Sequence, residues 1–181
     1  MPKEKVQNFS LKFIDIMAGV ILGFGFSYWG LLSQNWQYVA FIFAYINIVD
    51  YWVDYSPSLK KFPPKKELDV MIDVAIMFSL FLYIFSVQYS ISYFFAAFAV
   101  FRFLDFLWLI NVRHHYHPKG YDGIFVGTWI KVNLIDVMIC FALLWVASLT
   151  IIGSVYLILI YVILITTTRI SASLLYKRLF Y

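Results

Sequence analysis

Three long stretches of the chain contain no aspartate, glutamate, lysine or arginine, and they restrict the fold more than any other feature. They cover residues 16–49, 74–101 and 137–168. A helix that crosses a bilayer needs about 20 predominantly apolar residues, so each stretch is long enough for more than one crossing. Hydrophobic residues make up 63% of the chain and charged residues 13%, whereas soluble domains average about 45–50% and about 25%. These proportions predict a polytopic membrane protein.

Each charge-free stretch is interrupted near its middle by small or polar residues, which predicts a tight turn between two helices. The interruptions lie at 33–35, at 88–90, and at 148–150 with Gly153. Backbone groups in lipid must be paired internally, and these runs do not alternate as barrel strands do, so helices are expected. The predicted fold is an all-α transmembrane bundle of six helices, arranged as three tight helical hairpins. The six spans are placed at 11–32, 37–55, 69–87, 91–111, 129–148 and 151–172.

Lysine and arginine avoid the three turns and collect in the tails and in the two longer connections. Because basic residues accumulate on the cytoplasmic side of a membrane protein, both termini are predicted to be cytoplasmic. The chain then divides into a short tail at 1–10, a transmembrane domain at 11–172 and a basic tail at 173–181. No cleavable signal peptide is apparent, so we expect a multi-pass protein of a plasma (inner) membrane. The basic residues of this side are Lys3, Lys5, Lys12, Lys60, Lys61, Lys65, Lys66, Arg113, Lys119, Lys131, Lys177 and Arg178.

The three hairpins resemble one another weakly. An isoleucine–aspartate pair opens each odd-numbered span, at Asp15, Asp73 and Asp136. This correspondence predicts two-helix repeats, a form of internal symmetry that is common in transporters, although chance among many isoleucines is an alternative. The predicted repeats cover residues 11–55, 69–111 and 129–172.

Arg102 and Asp105 lie in a span that is otherwise almost entirely apolar. An arginine near the centre of a bilayer costs at least ~2.5–3.5 kcal/mol, so partners or a function must offset it. Asp105 is one helical turn away, and Asp50 or Asp73 on another helix is the expected main partner. Asp136, closer to a helix end, is expected to be an interfacial cap.

Two hypotheses account for these intramembrane charges. One is a hydrated, acidic cavity on the cytoplasmic side that attracts a proton or a monovalent cation. The other is a salt-bridge network that only fixes the register of the helices. The predicted cluster consists of Arg102, Asp105, Asp50, Asp73 and Asp54, and the secondary polar residues are Asp15, Asp136, Arg169 and Asn47.

All three histidines of the protein occur together, at His114, His115 and His117, in the predicted connection after the fourth span, with Asp122 nearby. Imidazoles titrate near neutral pH and also bind anions, which predicts pH sensing, phosphate binding or contact with lipid headgroups. A transition metal is a further alternative, but no cysteine or Glu-x-x-His pattern accompanies them, and we predict no metal site. No residue pattern identifies a cofactor.

Gly19 and Gly23 form a Gly-x-x-x-Gly pattern in the first span. Small residues at this spacing let another helix approach closely, so we expect a packing surface within the chain or in an oligomer.

Parts of the first 120 residues resemble voltage-sensor domains. Asp50 late in the second span and Asp73 early in the third resemble the acids of the family's second and third helices, and residues 101–103 followed by Arg113 are similar to part of its fourth helix. The resemblance implies that both acids form a charge-transfer site for Arg102. The fourth span departs from the family because it lacks an arginine at every third position, and Asp105 stands where a positive charge is expected.

Three functions fit these observations. The first is a channel, transporter or ion- or proton-sensing subunit that acts as a homo-oligomer or within a membrane complex. The second is a membrane-embedded enzyme for a lipid or isoprenoid substrate at the histidine-rich rim. The third is a structural membrane subunit. Membrane lipids are the expected surroundings, and a nucleic-acid partner is not expected because the basic residues alternate with apolar spans.

Overall fold

The computed structural model describes the backbone of residues 3–178 and the side chains of residues 12–175, and the described chain is all-helical. The predicted all-α fold of six helices is confirmed. The predicted tail at 1–10 and residues 176–181 of the basic tail lie outside the described side chains. The helices are α1 (Lys3–Ser27), α2 (Asn35–Lys61), α3 (Glu67–Phe85), α4 (Ile91–Tyr116), α5 (Gly120–Ser148) and α6 (Ser154–Arg178), and short 3₁₀ turns follow α1 at Trp29–Leu31 and α3 at Ser86–Gln88.

Five of the six helices are long and apolar enough to cross a membrane, and α2 is not among them. These helices are compatible with a multi-pass membrane protein. Six spanning helices were predicted, and five meet the criteria of length and hydropathy. Polar residues such as Asn47 and Asp50 interrupt α2 and lower its mean hydropathy. Its exposed face is nevertheless apolar at Ile42, Ile46 and Val49. Of the two polar residues, Asn47 is buried against the other helices, whereas Asp50 is exposed.

The short connections lie at 32–34, 89–90 and 149–153, close to the predicted turns. The two connections predicted to be long are short, at 62–66 and 117–119, because α2, α4 and α5 continue beyond the apolar segments. Hydropathy locates the part of a helix that lies in lipid, whereas the backbone hydrogen bonds continue into the interface. His117, at φ 48°, ends α4, and Gly120, at φ +56°, begins α5.

The helix α4 lies at the centre of the bundle. It packs most extensively against α5 and also against α3, while α6 packs on α5 and on α2. Phe94, Phe95, Phe98 and Phe101 of α4 are fully buried. This position surrounds the middle of α4, where Arg102 occurs, with protein on several sides.

The first helix makes its close contact through Gly25, and Gly19 and Gly23 do not pack within the chain. A Cβ atom at Gly19 or Gly23 would meet nothing within 4 Å, whereas one at Gly25 would lie 2.9 Å from the Tyr45 hydroxyl and 3.1 Å from Ile84. Of the two predicted settings for the Gly-x-x-x-Gly pair, the described chain does not show packing within the chain, and contact in an oligomer stays a prediction. Small-residue spacing identifies a possible contact face, but it does not say which face is turned toward a neighbour.

We expect Gly25→Ala to lower the free energy of unfolding by about 1–3 kcal/mol, because a methyl group there overpacks against Tyr45 and Ile84. Gly19→Ala and Gly23→Ala are the matched controls and should be neutral or stabilising, since alanine favours helix. The thermal unfolding midpoint of the purified protein in detergent measures all three. A comparable loss at Gly19 or Gly23 would contradict the packing described and indicate a contact with a second molecule.

Candidate functional site

Arg102 is buried in the middle of the bundle, with a relative exposure of 1%. Its Nε lies 3.0 Å from Oδ2 of Asp136 on α5, and its Nη1 lies 4.0 Å from Oδ2 of Asp105 on its own helix. The rings of Phe98 and Phe101 lie 5.1 and 5.2 Å from the guanidinium carbon. Two carboxylates and two aromatic faces therefore compensate the buried charge.

The prediction that Asp50 or Asp73 is the main partner of Arg102 is wrong. Asp50 forms an ion pair with Arg169 of α6, and Asp73 accepts a hydrogen bond of 2.7 Å from the Tyr55 hydroxyl. The charge-transfer site implied by the voltage-sensor resemblance is therefore not formed by these acids. The expectation of an interfacial cap at Asp136 is also wrong, because this residue is fully buried. Depth along a helix did not reveal which face each acid occupies.

Asp105 is held by side chains from two other helices. Its Oδ1 accepts a hydrogen bond of 3.1 Å from the Tyr51 hydroxyl, and its Oδ2 accepts one of 2.6 Å from Nδ2 of Asn133. Asn133 was not among the predicted residues. Its spacing of three residues from Asp136 places both on one face of α5, and this is the signal that could have identified it.

Two tyrosines of α2 present their hydroxyls to buried carboxylates. The rings of Tyr51 and Tyr55 are stacked with their centroids 4.8 Å apart, and Tyr55 also contacts Trp108 at 4.9 Å. Their hydroxyls donate to Asp105 and Asp73, respectively. Sequence reasoning missed the pair because aromatic residues are abundant in this chain, although the four-residue spacing does place both rings on one helix face.

The last helix completes this group of polar residues. Thr168 donates a hydrogen bond of 2.9 Å to Oδ1 of Asp136. Next to it, Arg169 pairs with Asp50 and lies 5.6 Å from the ring centroid of Trp129. We call the resulting set the polar layer, and it consists of Tyr51, Tyr55, Asp73, Arg102, Asp105, Asn133, Asp136, Thr168 and Arg169.

A narrow cleft, which we call the inner cleft, leads to Arg102 and Asp105. Its volume is about 30 Å³, enough for about two water molecules at ~10–15 Å³ of such volume each. Besides Arg102 Nε, which faces Asp136 in the ion pair, three buried N–H groups of its lining have no hydrogen-bond acceptor within the described chain: Arg102 Nη2, Trp129 Nε1 and Arg169 Nε. Buried donors of this kind are ordinarily satisfied by ordered water. The inner cleft is therefore suited to water.

A second, wider cleft adjoins the first at Asp54, Ser58 and Phe125, which line both. Its volume is about 190 Å³, and it extends to the ends of α2 and α5. There Lys61 Nζ lies 2.6 Å from Oδ1 of Asp122. The two clefts thus lie one after the other between the lysine-rich end of the bundle and Arg102, and most of their lining surface is apolar.

On the other side of Arg102 the bundle is closed by aromatic side chains. Tyr161 of α6 contacts the rings of Phe94, Phe95 and Phe98 at 5.3–5.4 Å. Its hydroxyl lies 2.9 Å from that of Tyr83, and both tyrosines are fully buried. The two clefts therefore end at an aromatic layer, which is defined by these five residues.

Two of the secondary polar residues lie outside the polar layer. Asp15 is exposed and accepts hydrogen bonds from Trp52 at 3.0 Å and from Ser56 at 3.5 Å. Asn47 is buried but donates to the carbonyl of Phe43 in its own helix at 2.9 Å. Both side chains are therefore satisfied locally.

The histidines do not form a single site with Asp122. His114 and His115 lie in the last turn of α4, and His117 caps it, so the predicted connection is largely helical. His115 Nδ1 is 3.9 Å from Asp69, whereas Asp122 pairs with Lys61. In the part of the chain that the structure describes, no group of three or more His, Cys, Asp or Glu residues is placed to hold a metal ion. The geometry thus gives the histidine-based enzyme hypothesis no assembled site.

Comparison with protein-family models, with curated proteins and with solved structures finds no match to this chain.

Proposed function

We propose that the protein is a proton-handling channel, transporter or sensing subunit of a plasma (inner) membrane, and that the polar layer is its working site. The observation that carries the proposal is the inner cleft, which combines the Asp105 carboxylate with three buried N–H donors that lack acceptors. Water can accept from those donors and donate to the carboxylates, so a short water chain satisfies both.

The same lining favours a proton over a metal cation or an organic substrate. A metal cation requires a shell of several oxygen ligands, whereas within the described chain only two carboxylates, Asp54 and Asp105, line the inner cleft. Its volume of about 30 Å³ is far below the ~300–1,000 Å³ of typical ligand pockets. A proton needs neither a coordination shell of oxygens nor a large pocket, because it moves along hydrogen bonds.

The proposed topology is three helical hairpins with both termini and the Lys61–Asp122 pair on the cytoplasmic side. The order of contacts between α1 and α2 supports antiparallel helices, since Asp15 meets Trp52 and Leu22 meets Tyr45. The exposed apolar face of α2 supports a sixth crossing despite its polar interior. A homo-oligomer or a larger membrane complex is the proposed setting.

Each acid has a distinct role in this proposal. Asp54, in the wall shared by the two clefts, is the first proton acceptor from the cytoplasmic side. Asp105 is the inner acceptor, poised by Tyr51 and Asn133. Asp136 holds Arg102 in place. Arg102 and the aromatic layer close the opposite side in the conformation described, so proton flux requires these side chains to move apart.

We expect Asp105→Asn to reduce proton flux by at least about tenfold, because positioned proton-transfer groups contribute ~10²–10⁴-fold to rates. Asp54→Asn should reduce it in the same direction. The measurement uses proteoliposomes with an internal pH-sensitive dye and a membrane potential imposed by a potassium gradient and valinomycin. Asp15→Asn, which alters an exposed acid outside the polar layer, is the matched control and should retain the flux.

Thermal unfolding of the same samples separates transport from structure. If Asp105→Asn lowers the unfolding midpoint but leaves proton flux unchanged, the polar layer serves only helix packing, and the structural-subunit hypothesis replaces this one. If sodium or potassium flux falls in parallel with proton flux, the proton assignment is wrong.

A further inference from the structure

We propose that a groove at the ends of α4 and α5 binds the phosphate of an anionic phospholipid. The groove is lined by Arg113 and Lys131 together with Thr128, and its volume is about 380 Å³. No acidic residue of the described chain lines it. The three polar side chains supply two cations and a hydroxyl, which is the donor chemistry that a phosphate diester requires.

Both cations are exposed, and among the described residues neither forms an ion pair or a hydrogen bond through its side chain. Two other cations near this end are engaged: Lys61 pairs with Asp122, and Lys65 donates to the carbonyl of His115 at 2.8 Å. The charges of Arg113 and Lys131 are thus left for a ligand.

The shape of the groove comes from small residues of α5. A Cβ atom at Gly127 would meet nothing within 4 Å, so this position opens onto free space. A Cβ atom at Gly123 would lie only 2.6 Å from the carbonyl oxygen of Pro118. The absence of a side chain at Gly123 therefore lets the start of α5 pack closely against the preceding connection. A bulkier residue at Gly127 would fill the groove without altering its charges.

The depth of the two cations favours a lipid over a soluble anion. At 1.5 Å per residue, a hydrocarbon core of ~30 Å counted from Ile91 ends about two residues before Arg113. Counted from Ser148 along α5, Lys131 lies about 26 Å deep, from which its long side chain reaches the interface. Both charges therefore come to the level of lipid phosphates. The position of Arg113 and Lys131 near the lipid phosphates depends only on α4 and α5 crossing the membrane. It would be the same if the protein did not transfer protons.

Native mass spectrometry of the full-length protein in mixed micelles tests the proposal, with phosphatidylglycerol as probe and phosphatidylcholine as reference. Arg113→Gln and Lys131→Gln should each weaken phosphatidylglycerol retention about fivefold, the effect of one basic residue at a membrane surface. Gly127→Leu should weaken it as well, with every charge kept. The double variant Lys12→Gln/Lys60→Gln removes two exposed cations outside the groove and should leave retention unchanged.

The alternatives give different results. If the Lys12/Lys60 variant weakens phosphatidylglycerol retention equally, or if Gly127→Leu has no effect on it, general surface charge explains the retention. Either result would overturn the proposed binding site. Full displacement of the lipid by excess inorganic phosphate would show that free phosphate is the ligand and overturn the lipid assignment. Unchanged proton flux in Arg113→Gln would agree with the proposal, because the groove and the inner cleft share no residue.

Discussion

Asp136→Ala is expected to lower the free energy of unfolding by about 3–5 kcal/mol, the loss typical of removing one partner from a buried ion pair. The carboxylate lies 3.0 Å from Arg102 Nε, and both side chains are almost completely buried. Without it, Arg102 keeps only the more distant Asp105, which is already bound to Tyr51 and Asn133. Thermal or chemical unfolding in detergent, followed by tryptophan fluorescence, measures the loss.

A matched acid and a double variant make this prediction specific. Asp15→Ala removes an exposed carboxylate and should cost no more than about 1 kcal/mol. Arg102→Met combined with Asp136→Leu should recover most of the stability, because replacing a whole buried pair by apolar side chains is often neutral. If Asp136→Ala costs no more than Asp15→Ala, water reaches Arg102 freely and the pair contributes little.

Tyr161→Ala is expected to cost about 3 kcal/mol, at the lower end for truncating a buried aromatic residue. The ring contacts Phe43 of α2 and three phenylalanines of α4, and its hydroxyl meets Tyr83 of α3. The loss arises mainly from packing, since lipid is as apolar as the side chain and the hydrophobic effect contributes little between helices in a membrane. The unfolding midpoint in detergent provides the measurement.

Tyr156 of the same helix is the natural control, because it is 68% exposed. Tyr156→Ala should change stability by no more than about 0.5 kcal/mol. Tyr161→Phe keeps the ring and should lose only the hydroxyl contact, about 1 kcal/mol. A loss for Tyr161→Phe as large as that for Tyr161→Ala would show that the hydrogen bond to Tyr83, rather than packing, holds α6 to the bundle.

The helices and their turns could be predicted because they depend on local properties of the chain. Charge-free runs of more than 25 residues require helices in lipid, and a polar break in each run indicates a turn. The same reasoning misplaced the longer connections, since apolar residues end at the membrane boundary whereas α5 begins at Gly120. The positions of the polar residues around α2 could not be predicted either, because mean hydropathy averages the buried Asn47 with its exposed neighbours Ile46 and Asp50.

The position of Arg102 in an apolar span was also enough to predict that its charge needs a partner. The identity of that partner could not be predicted, because it depends on how each helix is rotated about its axis and on which helices lie side by side. Asp50 and Asp73 were plausible by depth, but the extensive contact between α4 and α5 brings Asp136 to Arg102. Gly19 and Gly23 illustrate the same point, since their spacing permits a close contact that the bundle makes at Gly25.

The amino-acid pattern was thus sufficient for the class of fold, the turns and the presence of a buried charge that must be neutralised. These follow from the free energy of placing each residue in lipid, which is a property of one helix at a time. The pairing of Arg102 with Asp136, the tyrosine–carboxylate contacts and the cleft between α2, α4, α5 and α6 required the packed bundle. They depend on distances of a few ångströms between residues far apart in the chain, and hydropathy and spacing carry no information on those distances.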